Sequence, residues 1–385
     1  MGGKAGIRVL PVRGRKALNL FVELPYRLHE VEGMWVPPPR RDVRMLLDRN
    51  RHPFHEHAQV EYFLARRDGE CVGRIAAIEN HAHNQAHGER VGFFGFLDAE
   101  QDEEVFAALL GEAERWAAAR GLKALRGPCS FSTNEECGAL VHGFMAPPAI
   151  MTPWNTETYP RLIESAGYTK ARDLISWWVW RDTLSERMVR VAGKLLEKLQ
   201  RGGRQVTARH LNMKDFGGEL SRVRRVYNSA WEKNWGFVPM TEAEIEHMAR
   251  ELRRIVVPEL VQFVEVDGEP VAFSLTLPDY NIALRFMEGR MGPRQIATFL
   301  LLRKHIHHCR MMALGVVEEF RNRGLEALLI SETIKAGRQL GYTSAELGWI
   351  LEDNDPMNRA IASIGAVHHK THRIYEKTLL PGTPA

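Results

Sequence analysis

Cysteine is scarce in this chain: Cys71, Cys129, Cys137 and Cys309 are the four among 385 residues. They form neither a paired framework nor a C-x-x-C spacing, which excludes a disulfide scaffold and sets the expectation of a reducing compartment. Long apolar runs are missing as well. The longest stretch without Asp, Glu, Lys or Arg is 137–156, and Pro147, Pro148 and Pro153 interrupt it, so no transmembrane helix is expected. Residues 1–18, MGGKAGIRVLPVRGRKAL, hold no apolar core of signal-peptide length, and the expected localisation is cytoplasmic. Charge of one sign is also lacking. The 52 Lys and Arg against 48 Asp and Glu leave a net charge of +4, too little to argue for a nucleic-acid partner. Metal-ligand spacings are absent: His52, His55 and His57, then His81, His83 and His87, cluster without an H-E-x-x-H pattern or a cysteine pair. They read as hydrogen-bonded or surface histidines, and no metal is expected.

What is present is a globular composition, 44% hydrophobic and 26% charged, in a chain long enough for two domains. The two halves share a grammar. In the first, Glu61 to Ala65, Asp68-Gly69-Glu70 and Cys71 to Ile78 predict a hairpin; in the second, Val261 to Val266, Asp267-Gly268-Glu269 and Val271 to Leu277 predict another at the matching place. The first hairpin leads to a strand at Val91 to Leu97, a helix at Glu103 to Ala119, a strand at Lys123 to Arg126, a helix at Tyr159 to Ala166 and a strand at Leu174 to Trp180. Capping boxes are expected at Thr183 with Glu186 and at Thr241 with Glu244. The domain cut is expected at 1–181 and 182–385. The segment Arg126 to Glu136, dense in hydrogen-bonding side chains, is either a ligand loop or a turn saturated by its own bonds.

The segment Ala313 to Leu329 carries the most chemistry. An apolar strand runs into Arg321-Asn322-Arg323-Gly324 and then into a helix. Helix N-termini leave amides unpaired and carry partial positive charge, and Gly324 lets a backbone approach a ligand closely, so the turn is shaped for a pyrophosphate. Beyond it the order is helix, strand (Tyr342 to Trp349), helix (Met357 to Ile364, closed by Gly365) and one or two strands from Val367 to Leu379.

The turn resembles the R-x-x-G-x-[GA] acyl-CoA signature of the GNAT acyltransferase superfamily, with Arg321 and Gly324 in place and Glu326 where a small residue is usual. The first half has no such turn between Leu97 and Glu104. The chain is thus identified as a mixed-sheet α/β protein of two tandem GNAT-like domains, the N-terminal one degenerate. Over nearly its full length it resembles a bacterial double-GNAT family that includes bacterial ceramide synthases, some members of which carry the label dATP pyrophosphohydrolase. The segments that carry this are FVELPYRLHEVEGMWVPPPR (21–40), RVGFFGFLDAE (90–100), NWGFVPMTEAEI (234–245), LGVVEEFRNRG and ILEDNDPMNRAI. No Nudix-type R-E-x-x-E-E run supports hydrolysis of a nucleotide.

The resemblance implies acyl-CoA as co-substrate, held by Val316, Val317, Arg321, Asn322, Arg323, Gly324, Leu325, Glu326 and Ala327. It also implies transfer of an acyl group to a sphingoid base. Glu352, at the C-terminal end of a predicted strand where α/β sheets place ligands, is the candidate base, and Tyr375 on the last strand the candidate acid. Ile361 stands where the final GNAT helix often has a tyrosine. Asn354 is expected to cap that helix and hydrogen-bond near the thioester. An insertion, Asn281 to Arg310, contains Ile296, Phe299, Leu300 and Leu302 among Arg294, Arg303, Lys304, His305 and Arg310. Such a helix either lies on an anionic membrane, covers a lipid tail or packs on its own domain. An acetyltransferase of a small amine and a non-catalytic acyl-CoA-binding protein stay open beside the lipid reading, as do the acyl length, the choice of CoA or acyl carrier protein and the oligomeric state.

Overall fold

The computed structural model describes residues 6–30, 32–185, 190, 192–194, 196–197, 201, 203–321 and 323–379. The chain forms two compact units. One comprises Met1–Leu174, Ala283–Phe299 and Lys370–Ala385, the other Ile175–Ile282 and Leu300–His369. The expected cut after residue 181 gives contiguous halves; the compact units instead exchange closing segments. The strand β9 (Thr169–Trp180) enters the second unit at Ile175, and the last strand, β15 (Val367–Thr378), enters the first at Lys370. Pairing accounts for the second exchange. Tyr375 to Thr378 lie antiparallel to Gly127 to Ala124, giving that strand a partner on an edge that would otherwise be bare.

In the first unit β1 (Arg8–Pro11), β2 (Ala58–Arg67), β3 (Glu70–Asn80) and β4 (Val91–Ala99) run antiparallel in sequence. Parallel to β4 lies β5 (Ala124–Gly127). A two-residue ladder, β6 (Cys129–Ser130) with β7 (Glu136–Cys137), and β8 (Ala139–His142), paired to β15, follow. The Glu103–Ala119 helix starts on Asp102, whose side chain accepts from the Glu104 amide at 2.9 Å. It buries Val105, Phe106, Leu109, Leu110, Ala113 and Ala117, its apolar stripe, against the sheet. Gly73 lets it approach, since a Cβ there would lie 2.6 Å from Leu109.

The second unit orders β10 (Val206–His210), β11 (Val261–Val266), β12 (Glu269–Pro278) and β13 (His308–Val316) antiparallel. Next, β14 (Ser344–Leu351) runs parallel to β13, with β9 on its far side. One face holds the Phe216–Trp231 helix over Phe263 and Phe273; the other holds the Leu325–Gln339 helix over Val264, Val266 and Ala272. The two expected hairpins share one turn conformation. Asp68 and Gly69 take φ of 52° and 85°, and Asp267 and Gly268 take 54° and 83°, the paired left-handed geometry for which Asp-Gly is chosen. The capping box at Thr241 and Glu244 is formed in both directions, at 3.2 and 2.8 Å. The one expected at Thr183 and Glu186 cannot be placed, because Glu186 lies outside the described residues, as do Met188, Val191, Leu195 and Leu199 of the stripe after it.

The insertion does not stay with the second unit. Residues 283–299 belong to the first, where the Arg40 amide donates to the Gly289 carbonyl at 3.1 Å and its guanidinium to the Glu288 carbonyl at 2.8 Å. The Pro293–Leu302 helix that follows buries none of its residues.

Candidate active site

The site begins where two parallel strands part. β13 and β14 pair only from His308 with Ser344 to Met311 with Leu347, yet β13 continues to Val316 along β12 and β14 continues to Leu351. Two glycines accommodate this geometry. At Gly315 a Cβ would lie 2.6 Å from the Trp231 ring, so its absence lets the end of the Phe216–Trp231 helix rest on β13. At Gly348 (φ 130°) a Cβ would meet the Ile175 carbonyl at 2.8 Å, so β14 can draw close to β9. The gap opens on a cavity of about 1200 Å³ including its mouth. Its walls include Met312, Ala313 and Leu314 on one strand and Gly348 to Leu351 on the other, with Trp231 and Asn234 beside them.

The basic turn lies at the end of β13. Gly324 takes φ 80° and precedes the Leu325–Gln339 helix, so the amides of Leu325 and Glu326 sit in its first turn, ahead of intrahelical bonding. Glu326 is therefore placed where a carboxylate complements its own helix dipole, which gives the departure from a small residue a structural reason. Arg321 has another partner than the expected phosphate. Its guanidinium donates to the Ala230 carbonyl at 2.7 Å, holding the C-terminal turn of the Phe216–Trp231 helix. Arg323 stands exposed, 5.1 Å over the Phe320 ring. Val316 and Leu325 are buried in the core, where their side chains pack, and the Val316 carbonyl accepts from Arg321 at 3.4 Å. Val317 donates its amide to Val271 at 2.9 Å and Ala327 to Gly324 at 3.0 Å, which removes both as donors to a phosphate. Asn322 lies outside the described residues.

Asn354 caps the Asp355–Ser363 helix, its side chain accepting from the Met357 amide at 3.3 Å, and lines the cavity. Asn358 fixes that cap. Its amide group donates to the Leu351 carbonyl at 3.0 Å and accepts from the Trp177 indole at 2.9 Å. Glu352 is half-buried in the turn between Leu351 and Asn354; both neighbours line the cavity and Glu352 does not. The expectation for Tyr375 is corrected. It is fully buried in the core of the first unit, its hydroxyl 2.9 Å from Glu164, and burial together with Glu164 raises the phenol above its ordinary range. The pairing of β15 with β5 puts it there, so it is not a wall residue of the cavity and cannot supply the expected acid.

Several cavity residues carry no signal in the sequence. Thr276, fully buried on β12, has no hydrogen-bond partner for its hydroxyl among the described residues. Cys309 is apolar wall rather than nucleophile, since burial pushes its thiol up to about 12. Tyr342, two residues ahead of β14, has its phenol raised by burial. Each reads as one more residue of an ordinary strand or turn. Asn234 is the first residue of the quoted NWGFVPMTEAEI segment and Trp231 lies three residues before it, the nearest thing to a signal for them.

Other segments flagged by the sequence find partners of their own. Ser132 donates from its amide (3.0 Å) and hydroxyl (2.5 Å) to Glu135, and accepts from the Asn134 amide (3.1 Å), a turn closed by its own side chains. His83 is buried against Glu89 at 3.0 Å, and His52 and His55 pack on the Phe131 ring. Among the described residues no group of three or more His, Cys, Asp or Glu is placed to hold a metal, and no helix is long and apolar enough to cross a membrane.

Parallel strands that part beside a strand-turn-helix cradle are a GNAT arrangement, and comparison agrees. No protein-family model matches the chain. The bacterial ceramide synthase of Caulobacter vibrioides is 34% identical over 382 residues, covering 97% of this chain and 98% of its own. Protein YghO of Escherichia coli is 34% identical over 375 residues, 94% of this chain and 93% of its own. A solved tandem GNAT protein from the clavulanic acid biosynthesis pathway covers 98% of this chain and 99% of its own at 13% identity and a TM-score of 0.55, a likeness of fold. The chain belongs to the double-GNAT acyltransferase family that includes the Caulobacter ceramide synthase.

Proposed function

We propose that this protein transfers a long-chain acyl group from acyl-CoA to the primary amine of a sphingoid base. The observation that supports the reading is the opening between β13 and β14, which leads into a largely apolar cavity. The name of the Caulobacter relative supports the acceptor class. In the reaction the amine nitrogen attacks the thioester carbonyl, the C–S bond breaks and the thiolate takes a proton. The base must take a proton from the amine, and Glu352, next to the cavity wall, is the candidate. The amides opening the Leu325–Gln339 helix and Arg323 would receive the donor's phosphates.

A membrane-surface location suits a lipid acceptor. In the Pro293–Leu302 helix Ile296, Leu300 and Leu301 are exposed, and Phe286 and Met291 before it are exposed too. Arg294, Arg303 and Lys304 supply the charge that an anionic bilayer attracts. Of the readings the sequence leaves open, an acetyltransferase would take a short acyl donor and a small soluble amine, and a binding protein would retain donor without product.

Mass spectrometry after incubation with palmitoyl-CoA and sphinganine tests the proposal. The amide product is expected, with little product from acetyl-CoA and a soluble polyamine. The reverse preference would assign a small-molecule acetyltransferase, and donor binding with no amide from any amine would assign a binding protein. In the same assay Arg303→Glu with Lys304→Glu should lower the rate several-fold on anionic liposomes and leave it unchanged in detergent. Equal rates on liposomes would remove the membrane element.

A further inference from the structure

The cavity continues away from the opening under a single face of the Leu325–Gln339 helix. Ile330, Thr333, Ile334, Gly337 and Arg338 all line it, at the spacing of one helical stripe. Along the helix this stripe covers about 12 Å, and the chain from Leu347 back through the start of β14 to Tyr342 about 17 Å. A helix laid on a sheet ordinarily fills that space with side chains. Here the stripe has a glycine instead, at a position with no positive φ to explain it, and a Cβ built on Gly337 meets nothing within 4 Å. Glycine inside a helix is disfavoured against alanine, so the vacancy is maintained against local propensity.

The polar end of this arm is marked as well. Thr276 pairs across the sheet with Met311, and Met311 with Leu347, the last paired position before the strands separate. Thr276 lines the cavity, and its hydroxyl is fully buried with no partner among the described residues. A buried hydroxyl left unpaired is costly, and a ligand oxygen accepting from it would remove that penalty. Polar at the parting of the strands and walled beyond it by Ile330 and Ile334 on the helix and Ala345 and Leu347 on the strand, the arm matches a molecule with a carbonyl at one end and a hydrocarbon at the other.

We propose that this arm holds the hydrocarbon tail of the acyl donor, with Thr276 donating to the acyl carbonyl and Gly337 setting how long a tail is accepted. The inference rests on the acyl-CoA reading above and adds the residues that select chain length. Each methylene that enters should tighten binding up to about fourfold until the arm is full.

The test is equilibrium binding of octanoyl-CoA and palmitoyl-CoA, without acceptor amine, to the full chain and to Gly337→Ala, Gly337→Leu and Thr276→Val. Wild type should bind palmitoyl-CoA more tightly. Gly337→Leu should weaken palmitoyl-CoA at least tenfold and leave octanoyl-CoA within twofold, with Gly337→Ala between, while Thr276→Val should weaken both donors by the same factor. Equal effects of the Gly337 variants on the two donors, or none, would overturn the assignment of the arm; unchanged binding by Thr276→Val would overturn its polar end. Gly337→Ala guards against a misfolded leucine variant, since alanine favours the helix. Binding without amine acylation would sink the functional reading and keep the tail site. Amide formation with no chain-length dependence would do the opposite.

Discussion

Arg321 and Arg323 occupy one turn and have separate fates. The sequence gives them the same charge and the same motif; only packing shows that Arg321 is tied to the Ala230 carbonyl while Arg323 remains exposed. Arg321→Ala should therefore lower stability by about 1–3 kcal/mol, the loss of a charge-assisted bond and of a helix-end partner. Arg323→Ala should stay within about 0.5 kcal/mol of wild type in denaturant unfolding, yet weaken acyl-CoA binding in a salt-dependent way. The opposite pattern would exchange their roles. His83 supplies a pH signature. Burial pushes its imidazole down to about 4 from 6.5, against the pull of Glu89. Below pH 6.5 the unfolded chain takes up a proton that the folded chain refuses until about pH 4. Stability should thus be fully present above 6.5 and fall with pH by about 1.4 kcal/mol per unit across that window, relative to His83→Gln. Parallel curves for the two proteins in urea would contradict this.

Elements with local causes were legible in the chain. The Asp-Gly hairpins, the Glu103–Ala119 helix and the Thr241 capping box rest on residues adjacent in sequence, and the structure has all three. The parting of β13 from β14 was not legible, because it depends on contacts distant in the chain, Gly315 with Trp231 and Gly348 with Ile175. Tyr375 failed for the same reason: its alternation on a strand was readable, its partner strand was not. Gly315→Ala should expose this dependence. Its Cβ would overlap the Trp231 ring, and overpacking of this kind costs about 1–3 kcal/mol. Unfolding in urea should show that loss with a change in tryptophan emission as the cavity wall moves; a variant as stable as wild type would mean that the contact does not fix the wall.

For the whole molecule, the two units repeat a hairpin and differ in the basic turn. The basic turn, with a left-handed glycine ahead of a long helix, belongs to the second unit, and the segment between Leu97 and Glu104 in the first has no counterpart of it. On the proposed reading only the second unit receives the acyl donor. Calorimetric titration of the full chain with palmitoyl-CoA below its micelle concentration tests this most directly. The account predicts a stoichiometry of one donor per chain; two donors per chain would contradict it.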